Sequence, residues 1–380
     1  MQQLEFPRPR ESSSTQQLRR EVREFLATEL KGRQSYSFFG EFDAQFSEAM
    51  GARGWIGMNF PRKYGGSESG VLERYVVLEE MLAAHAPVYA HSVADRQSGN
   101  LLLRYGTEQQ REKVLPRIAA GKCYFCIGMS EPDSGSDLAS VRTRATKVDG
   151  GWRVNGAKIW TSSAHRSHYM ILLCRTSPRD EQHRHGGLSQ FLVDMKTPGI
   201  VCRPIINMAD EYDFNEVVLD DVLLPDDTLI GGEGDGWKQV TSELAFERSG
   251  PERFLSHLGL MEELVAALQK NPSERGLIAI GRLTAHLHTL RRLSRSVATM
   301  ISEGGEPSLQ AAIVKDLGTV FEQEIPEIER LIVDCEPDKT SSDPYQAALA
   351  EVMLRSPSCT LRGGTKEILR GIIARSIGLR

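Results

Sequence analysis

Two short stretches, GMSEPDSGSD (128–137) and GAKIWTSSA (156–164), decide how this chain is read. The first leaves an alternating apolar segment and enters a turn of glycine, serine and aspartate. Such a turn exposes backbone N–H groups and hydroxyls, which suits an anionic or carbonyl-rich ligand. In the second stretch Trp160 is followed by three hydroxyl side chains. The indole offers a flat apolar face, and Ser162, two positions on, lies on the same side of a strand. A flat face beside hydrogen-bonding groups can hold an isoalloxazine ring. Taken singly, each stretch reads more readily as a structural turn or a packed tryptophan.

Outward from these stretches, the hydrophobic period is two from residue 123 onward. Cys123–Met129, Val141–Val148, Trp152–Asn155, Tyr169–Arg175, Gln190–Val193 and Glu216–Leu219 read as strands, and Asp149–Gly150 and Asn155–Gly156 supply hairpin-type turns. The residues before this region read as helical. Leu18, Val22, Phe25 and Leu26 line one face of Thr15–Leu30, and Val71–Ala84 repeats that pattern. Thr107 is an N-cap with Gln110 at the capping-box position and Gly121 past the far end. After the β region, helices are expected at 237–249, 252–270, 274–303, 308–333 and from about Thr365, with 271–276 and 336–344 as loops. The order predicts an α+β chain with a helical domain at 1–122, a β domain at 123–233 and a helical domain at 234–380. A Rossmann fold is disfavoured, because no GxGxxG follows a strand. GGEGDGW (231–237) lacks the Lys-Ser/Thr ending of a phosphate loop and reads as a helix entry.

The bulk numbers exclude other classes. In 380 residues, 40% are hydrophobic and 26% charged, which is ordinary globular composition and not that of a disordered chain. A formal net charge of −5 argues against a nucleic-acid binder, which would show a basic domain or stripe. Arg291, Arg292 and Arg295 read as a solvated helix face. The six cysteines are too scattered for a disulfide framework, and Cys123 and Cys126 form a CxxC without a second pair, so strand packing is expected and no metal site. MQQLEFPRPR lacks signal-peptide layout, and no apolar run approaches the ~18 residues of a membrane span, so a cytoplasmic protein is expected.

Together and in this order, the two stretches resemble the flavin-binding signature of the acyl-CoA dehydrogenase family. PRKYGG (61–66), YGTEQQREKVLPRIAAGK (105–122), TPGI (197–200), FNEVVLDDVLLPDDTLIG (214–231) and RGGTKEILRGIIARSIGLR (362–380) extend the resemblance over nearly the whole chain. It implies a helical N-terminal domain, a middle β-barrel domain and a C-terminal four-helix bundle, with FAD as cofactor. Carried over by position, Met129, Ser130, Gly135, Trp160, Ser162 and Thr365 would hold the flavin, while Ser136 and Arg248 would face the substrate.

The resemblance also implies a reaction: a carboxylate takes the α-proton of an acyl thioester while a hydride leaves the β-carbon for flavin N5. The weakly acidic α C–H requires a polarised thioester carbonyl and a base whose burial brings its pKa toward the working pH. Many members carry that base just before the Gly-Thr of the C-terminal turn, where this chain has Gly363. Another branch carries it on the first helix after the β domain. There, in SELAFERSG (242–250), Glu247 matches, with Glu243 one turn earlier.

Two segments usual in the family are absent. QKNPSERGLIAIG (269–281) has no Arg-x-x-Phe-Gly, leaving only Arg275, and the stretch between Tyr345 and Thr365 has no Gly-Gly-x-Gly loop. Both belong to the half-site that one subunit lends to another, so the resemblance implies either self-association or pairing with a second acyl-CoA dehydrogenase-like subunit. Such heteromers occur in steroid side-chain degradation. Electrons would pass to an electron-transferring flavoprotein. An acyl-carrier-protein-linked dehydrogenase, a flavin oxidase or monooxygenase on the same fold, and a non-catalytic partner subunit remain as alternatives.

Overall fold

The computed structural model describes residues 4–9, 12–33, 35, 41–180 and 182–379, without the side chains of 243–247. Helix α1 (Ser13–Glu29) begins at Ser12, whose hydroxyl accepts from the Thr15 N–H, and it buries Val22, Phe25 and Leu26. Helices α2 (Ala44–Ala52), α3 (Val71–Ala83), α4 (Tyr89–Val93) and α5 (Gly99–Tyr105) follow. Helix α6 (Glu108–Ala119) opens with the reciprocal capping box of Thr107 and Gln110. The Gln110 amide also donates to the carbonyls of Asp227 and Leu229, tying the start of the helix to the far end of the β region.

Eight strands make one sheet: β1 (Phe125–Gly128), β2 (Arg144–Val148), β3 (Gly151–Ser162), β4 (Tyr169–Arg175), β5 (Leu188–Asp194), β6 (Ile200–Ile205), β7 (Phe214–Pro225) and β8 (Leu229–Ile230). Their order is β6-β7-β3-β2-β4-β5-β8, with β1 added parallel to β4. Trp152, Val154, Leu172, Phe191, Val193, Val217 and Leu219 fill the core, the Trp152 ring meeting Phe191 edge-on at 5.5 Å. Cys123 and Cys126 are buried at the start of the sheet, and burial pushes their thiols up to about 11 and about 12, so they serve packing as expected.

Asp149–Gly150 closes the β2–β3 hairpin, with Gly150 at φ +73°. Asn155–Gly156, expected to be a second hairpin turn, is not a turn. The strand runs straight through it, and Gly156 (φ +152°) sits at a register shift against β7. A Cβ on Gly156 would lie 2.5 Å from the Thr143 hydroxyl and 2.8 Å from its Cα, so glycine serves close approach of β2 there. Strands β6 and β8 went unrecognised in the sequence.

Helices α7 (Gly236–Glu247), α8 (Leu258–Lys270), α9 (Glu274–Ser302), α10 (Ser308–Glu329), α11 (Pro344–Arg355) and α12 (Lys366–Ser376) complete the chain, so the fold is the helical–sheet–helical one expected. Two compact units result: Phe42–Ser69 with Tyr89–Leu244, and Met1–Glu41 with Gly70–Val88 and Ala245–Arg380. In the second unit the basic run on α9 is not wholly solvated, which corrects the sequence reading. Arg291 forms a two-pronged pair with the buried Glu79 at 2.8 and 2.9 Å, and Arg19 joins at 2.8 Å. Burial works against the Glu79 charge, but these guanidinium groups outweigh it and hold the carboxyl below its ordinary range. Among the described residues no helix is long and apolar enough to cross a membrane.

Glu329, at the end of α10, is 0% exposed, and neither carboxyl oxygen has a hydrogen-bond partner among the described residues. Burial alone pushes its pKa up to about 9 from an ordinary value of 4.5. A raised folded-state value means that the stability tied to this proton is complete below the unfolded pKa and is lost as pH climbs through the folded one. Glu329→Gln, the isostere of the neutral acid, should therefore raise the melting temperature at about pH 8 and leave it nearly unchanged at about pH 4. Thermal melts at the two pH values check this, and equal shifts at both would contradict it.

Candidate functional site

Strand β3 changes character halfway along. Its first half is core, but its pairing with β7 slips between Lys158 and Thr161, and within the slip Trp160 adopts φ +57°. A side chain in left-handed backbone costs roughly 1–2 kcal/mol, so the surroundings must hold it there. The kink turns the indole outward, 58% exposed, with Phe214 edge-on at 6.0 Å. Thr161 next to it is buried, yet its hydroxyl has no partner among the described residues. Ser162 is half-buried.

The 128–137 turn lies alongside. The Ile159 N–H donates to the Ser130 carbonyl at 2.9 Å, and the Lys158 ammonium donates to the Met129 carbonyl at 3.1 Å. These bonds bring Met129 and Ser130 beside the strand segment that carries Trp160 and Ser162. Glu131 and Ser134 bond each other through their backbones and close the turn. The Glu131 carboxylate points inward and accepts from the Lys158 ammonium at 2.8 Å and from the Arg142 and Thr143 N–H groups at 2.6 and 2.9 Å. Desolvation opposes the Glu131 charge, but the Lys158 charge and hydrogen bond outweigh it and keep the carboxyl below its ordinary range. Arg175 pins the exit of the turn through the carbonyls of Ala139, Val141 and Gly186. Gly135 and Ser136 stand exposed at the tip. Neither Lys158 nor Glu131 was singled out in the sequence, because nothing in their spacing announces an inward-facing charge.

In the other unit, Thr365 caps α12 by accepting from the Ile368 N–H, and Gly363 and Gly364 before it take φ +65° and +96°. The Arg248 guanidinium donates to the Gly363 carbonyl at 3.3 Å, so these two site residues share one turn. Buried charge supports the turn from below: Arg362 pairs with Glu322 at 2.7 Å, and the Lys315 ammonium donates to the Cys359 carbonyl at 3.1 Å. Burial and the neighbouring arginines lower Lys315 to about 7. Glu247 is the last residue of α7, and its side chain, like that of Glu243, lies outside the described residues. No group of three or more metal-ligating side chains occurs among the described residues.

Whether a flavin suits these residues can be judged from the protein itself. The hydroxyls of Ser130 and Ser162 bond to no described residue, although both are half-buried beside an outward-facing indole. A Cβ on Gly135 would meet nothing within 4 Å, so nothing in the chain demands glycine there and the space is open to a ligand. A flat apolar face flanked by unused hydrogen-bonding groups is what an isoalloxazine ring requires. Fold and site thus define a flavin-binding helical–sheet–helical class. Residues 12–122 match the acyl-CoA dehydrogenase N-terminal domain, and 126–222 match the acyl-CoA dehydrogenase middle domain.

The chain is 31% identical to the acyl-CoA dehydrogenase IpdE1 of Mycobacterium tuberculosis, over 96% of this chain and 97% of that one. It is 32% identical to FadE34 of the same organism over 87% of its own length, and it spans 45% of that longer protein. Among solved structures, the Tcur3481-Tcur3483 steroid ACAD has a TM-score of 0.84 at 27% identity, covering 97% of this chain and 98% of that one. The ChsE4-ChsE5 complex of Mycobacterium tuberculosis has a TM-score of 0.83 at 27% identity, covering 98% and 100%. The chain belongs to the acyl-CoA dehydrogenase family, whose cofactor is FAD.

Because the Ser162 hydroxyl bonds to no described residue, Ser162→Ala should leave stability within about 0.5 kcal/mol of the parent. Losing one hydrogen bond to a ligand should weaken FAD binding by roughly two- to tenfold. Thermal melts and a flavin titration check both parts. A marked fall in stability without a change in affinity would count against the assignment.

Proposed function

We propose that this chain dehydrogenates an acyl-CoA thioester to the trans-2-enoyl product, with Glu247 as the base that removes the α-proton. The supporting observation is the contact between Arg248 and the Gly363 carbonyl. It joins the end of α7 to the very turn in which other members carry their base and in which this chain carries a glycine. A carboxylate on the residue before Arg248 can therefore stand in for the missing one. FAD, when bound, supplies the two-electron acceptor for the β-hydride. In this reading Met129, Ser130, Gly135, Trp160, Ser162 and Thr365 would hold that cofactor, and Ser136 and Arg248 would contact the thioester. Electrons leave to an electron-transferring flavoprotein.

The acyl group is bulky and steroid-derived in this reading. Support comes from the steroid ACAD relative and from the glycine at 363, which leaves room where a glutamate would stand. The lending half-site lacks its Arg-x-x-Phe-Gly and Gly-Gly-x-Gly segments, and a similar solved structure is a ChsE4-ChsE5 complex. We therefore infer pairing with a second acyl-CoA dehydrogenase-like subunit that lends the missing adenosine-side contacts. A fully flavinated, active homo-oligomer, obtained by expressing this chain alone, would refute the pairing.

Glu247→Gln should retain FAD but slow dehydrogenation by roughly 10²- to 10⁴-fold, the usual contribution of a positioned general base. Bleaching of the flavin band by a panel of acyl-CoA thioesters provides the measurement. Undiminished bleaching would remove Glu247 from the mechanism.

A further inference from the structure

The strained backbone at Trp160 is held from both ends by fully buried polar side chains. On one side Lys158, 0% exposed, spends its ammonium on the Met129 carbonyl and the Glu131 carboxylate. On the other side the Asn215 amide, also 0% exposed, donates to the Thr161 carbonyl at 2.9 Å. With its nitrogen committed there, the Asn215 oxygen accepts from the His165 Nδ1–H at 3.2 Å. His165 in turn is stacked on Tyr212 at 3.9 Å and 11°. The two anchors sit at the two ends of the register slip, and Trp160 lies between them.

Stability alone does not account for an inward lysine. Taking an ion pair out of water is costly enough that a well-packed apolar pair of similar volume is often as stable or more so. What the ion pair does that an apolar pair cannot is fix directions. The ammonium locks the Met129 carbonyl, and the carboxylate locks two further N–H groups across the turn. The ammonium's bond ends at the Met129 backbone beside Trp160, and the carboxylate's bonds end at the approach to β2.

We infer that Glu131–Lys158 and Asn215–His165 are positioning residues, a two-ended clamp that holds the Trp160 kink and the Met129–Ser130 backbone in register for the flavin ring. Lys158 and Asn215 are fully buried and act through the backbone they hold. The clamp rests on the flavin reading above and extends it to residues which that reading does not include. Like other outer-shell partners, its members act through the groups they orient.

The test uses the full chain, co-expressed with its partner subunit where one is needed for solubility. Glu131→Leu/Lys158→Met removes both charges together, so no orphaned ion is left to unfold the protein; Asn215→Leu cuts the other end. Expected for both is a folded protein that binds FAD roughly 10- to 100-fold more weakly, with a displaced visible flavin band and an altered reduction potential in the fraction that binds. A purely structural role would lower the melting temperature and leave affinity, band position and potential of the folded fraction as in the parent, and that result overturns the clamp. Should the double variant not fold, Asn215→Leu decides alone. If the unaltered protein takes up no FAD, the flavin reading fails and the clamp with it. If the unaltered protein binds and the variants bind equally well, only the clamp fails.

Discussion

Two opposite charges meet at 2.8 Å beneath the 128–137 turn, on a lysine with no solvent exposure and a glutamate with almost none. Inside a protein such a contact is sustained by further hydrogen bonds to both partners, and here each has them. The lysine uses a carbonyl as its second partner, and the glutamate uses two backbone N–H groups. One strand, one turn and the approach to β2 are thereby fixed to a common point. Gly128 belongs to the same constraint: a Cβ there would lie 3.3 Å from the Lys158 stem and 2.7 Å from the Met170 sulfur. The composition of the signature follows from this packing as much as from ligand contact.

The other unit uses charge differently. Its polar core of Arg362, Glu322, His257 and Lys315 sits behind a glycine-bearing turn, with His257 donating from Nδ1 to the Glu322 carbonyl at 3.0 Å. Burial lowers the His257 pKa, so the imidazole is neutral and its Nε2 is left as an acceptor toward the Cys359 thiol at 3.9 Å. That thiol, pushed up to about 12 by burial, is no nucleophile. The arrangement supports a backbone shape and contains no second reaction centre.

Much of this was legible in the chain because it is local. Thr107 and Gln110 announce a capped helix, and they form one. The kinked strand was misread for a physical reason. Asn-Gly is hairpin chemistry when two strands must turn back, but Gly156 instead lets β3 pass close to Thr143. Helix α11 could have been found: Asp343 caps it, Pro344 takes its first position, and Tyr345, Ala348, Leu349 and Val352 repeat at helical spacing. Strand β6 carries Pro204 and alternates weakly because it is an edge. The residues at 128–137 and 156–164 that we propose to face the flavin were picked out through family likeness. The Lys158–Glu131 pair and the Asn215 anchor were not, since their roles arise from contacts between segments 27 and 54 positions apart.

The outward indole of Trp160 has a consequence for the life of the chain before it meets its cofactor. A large aromatic surface on strained backbone is a poor resting state, and a molecule that covers it adds to the folded population by mass action. A flavin seated over that indole would therefore raise the melting point of the fold as well as supply its electron acceptor.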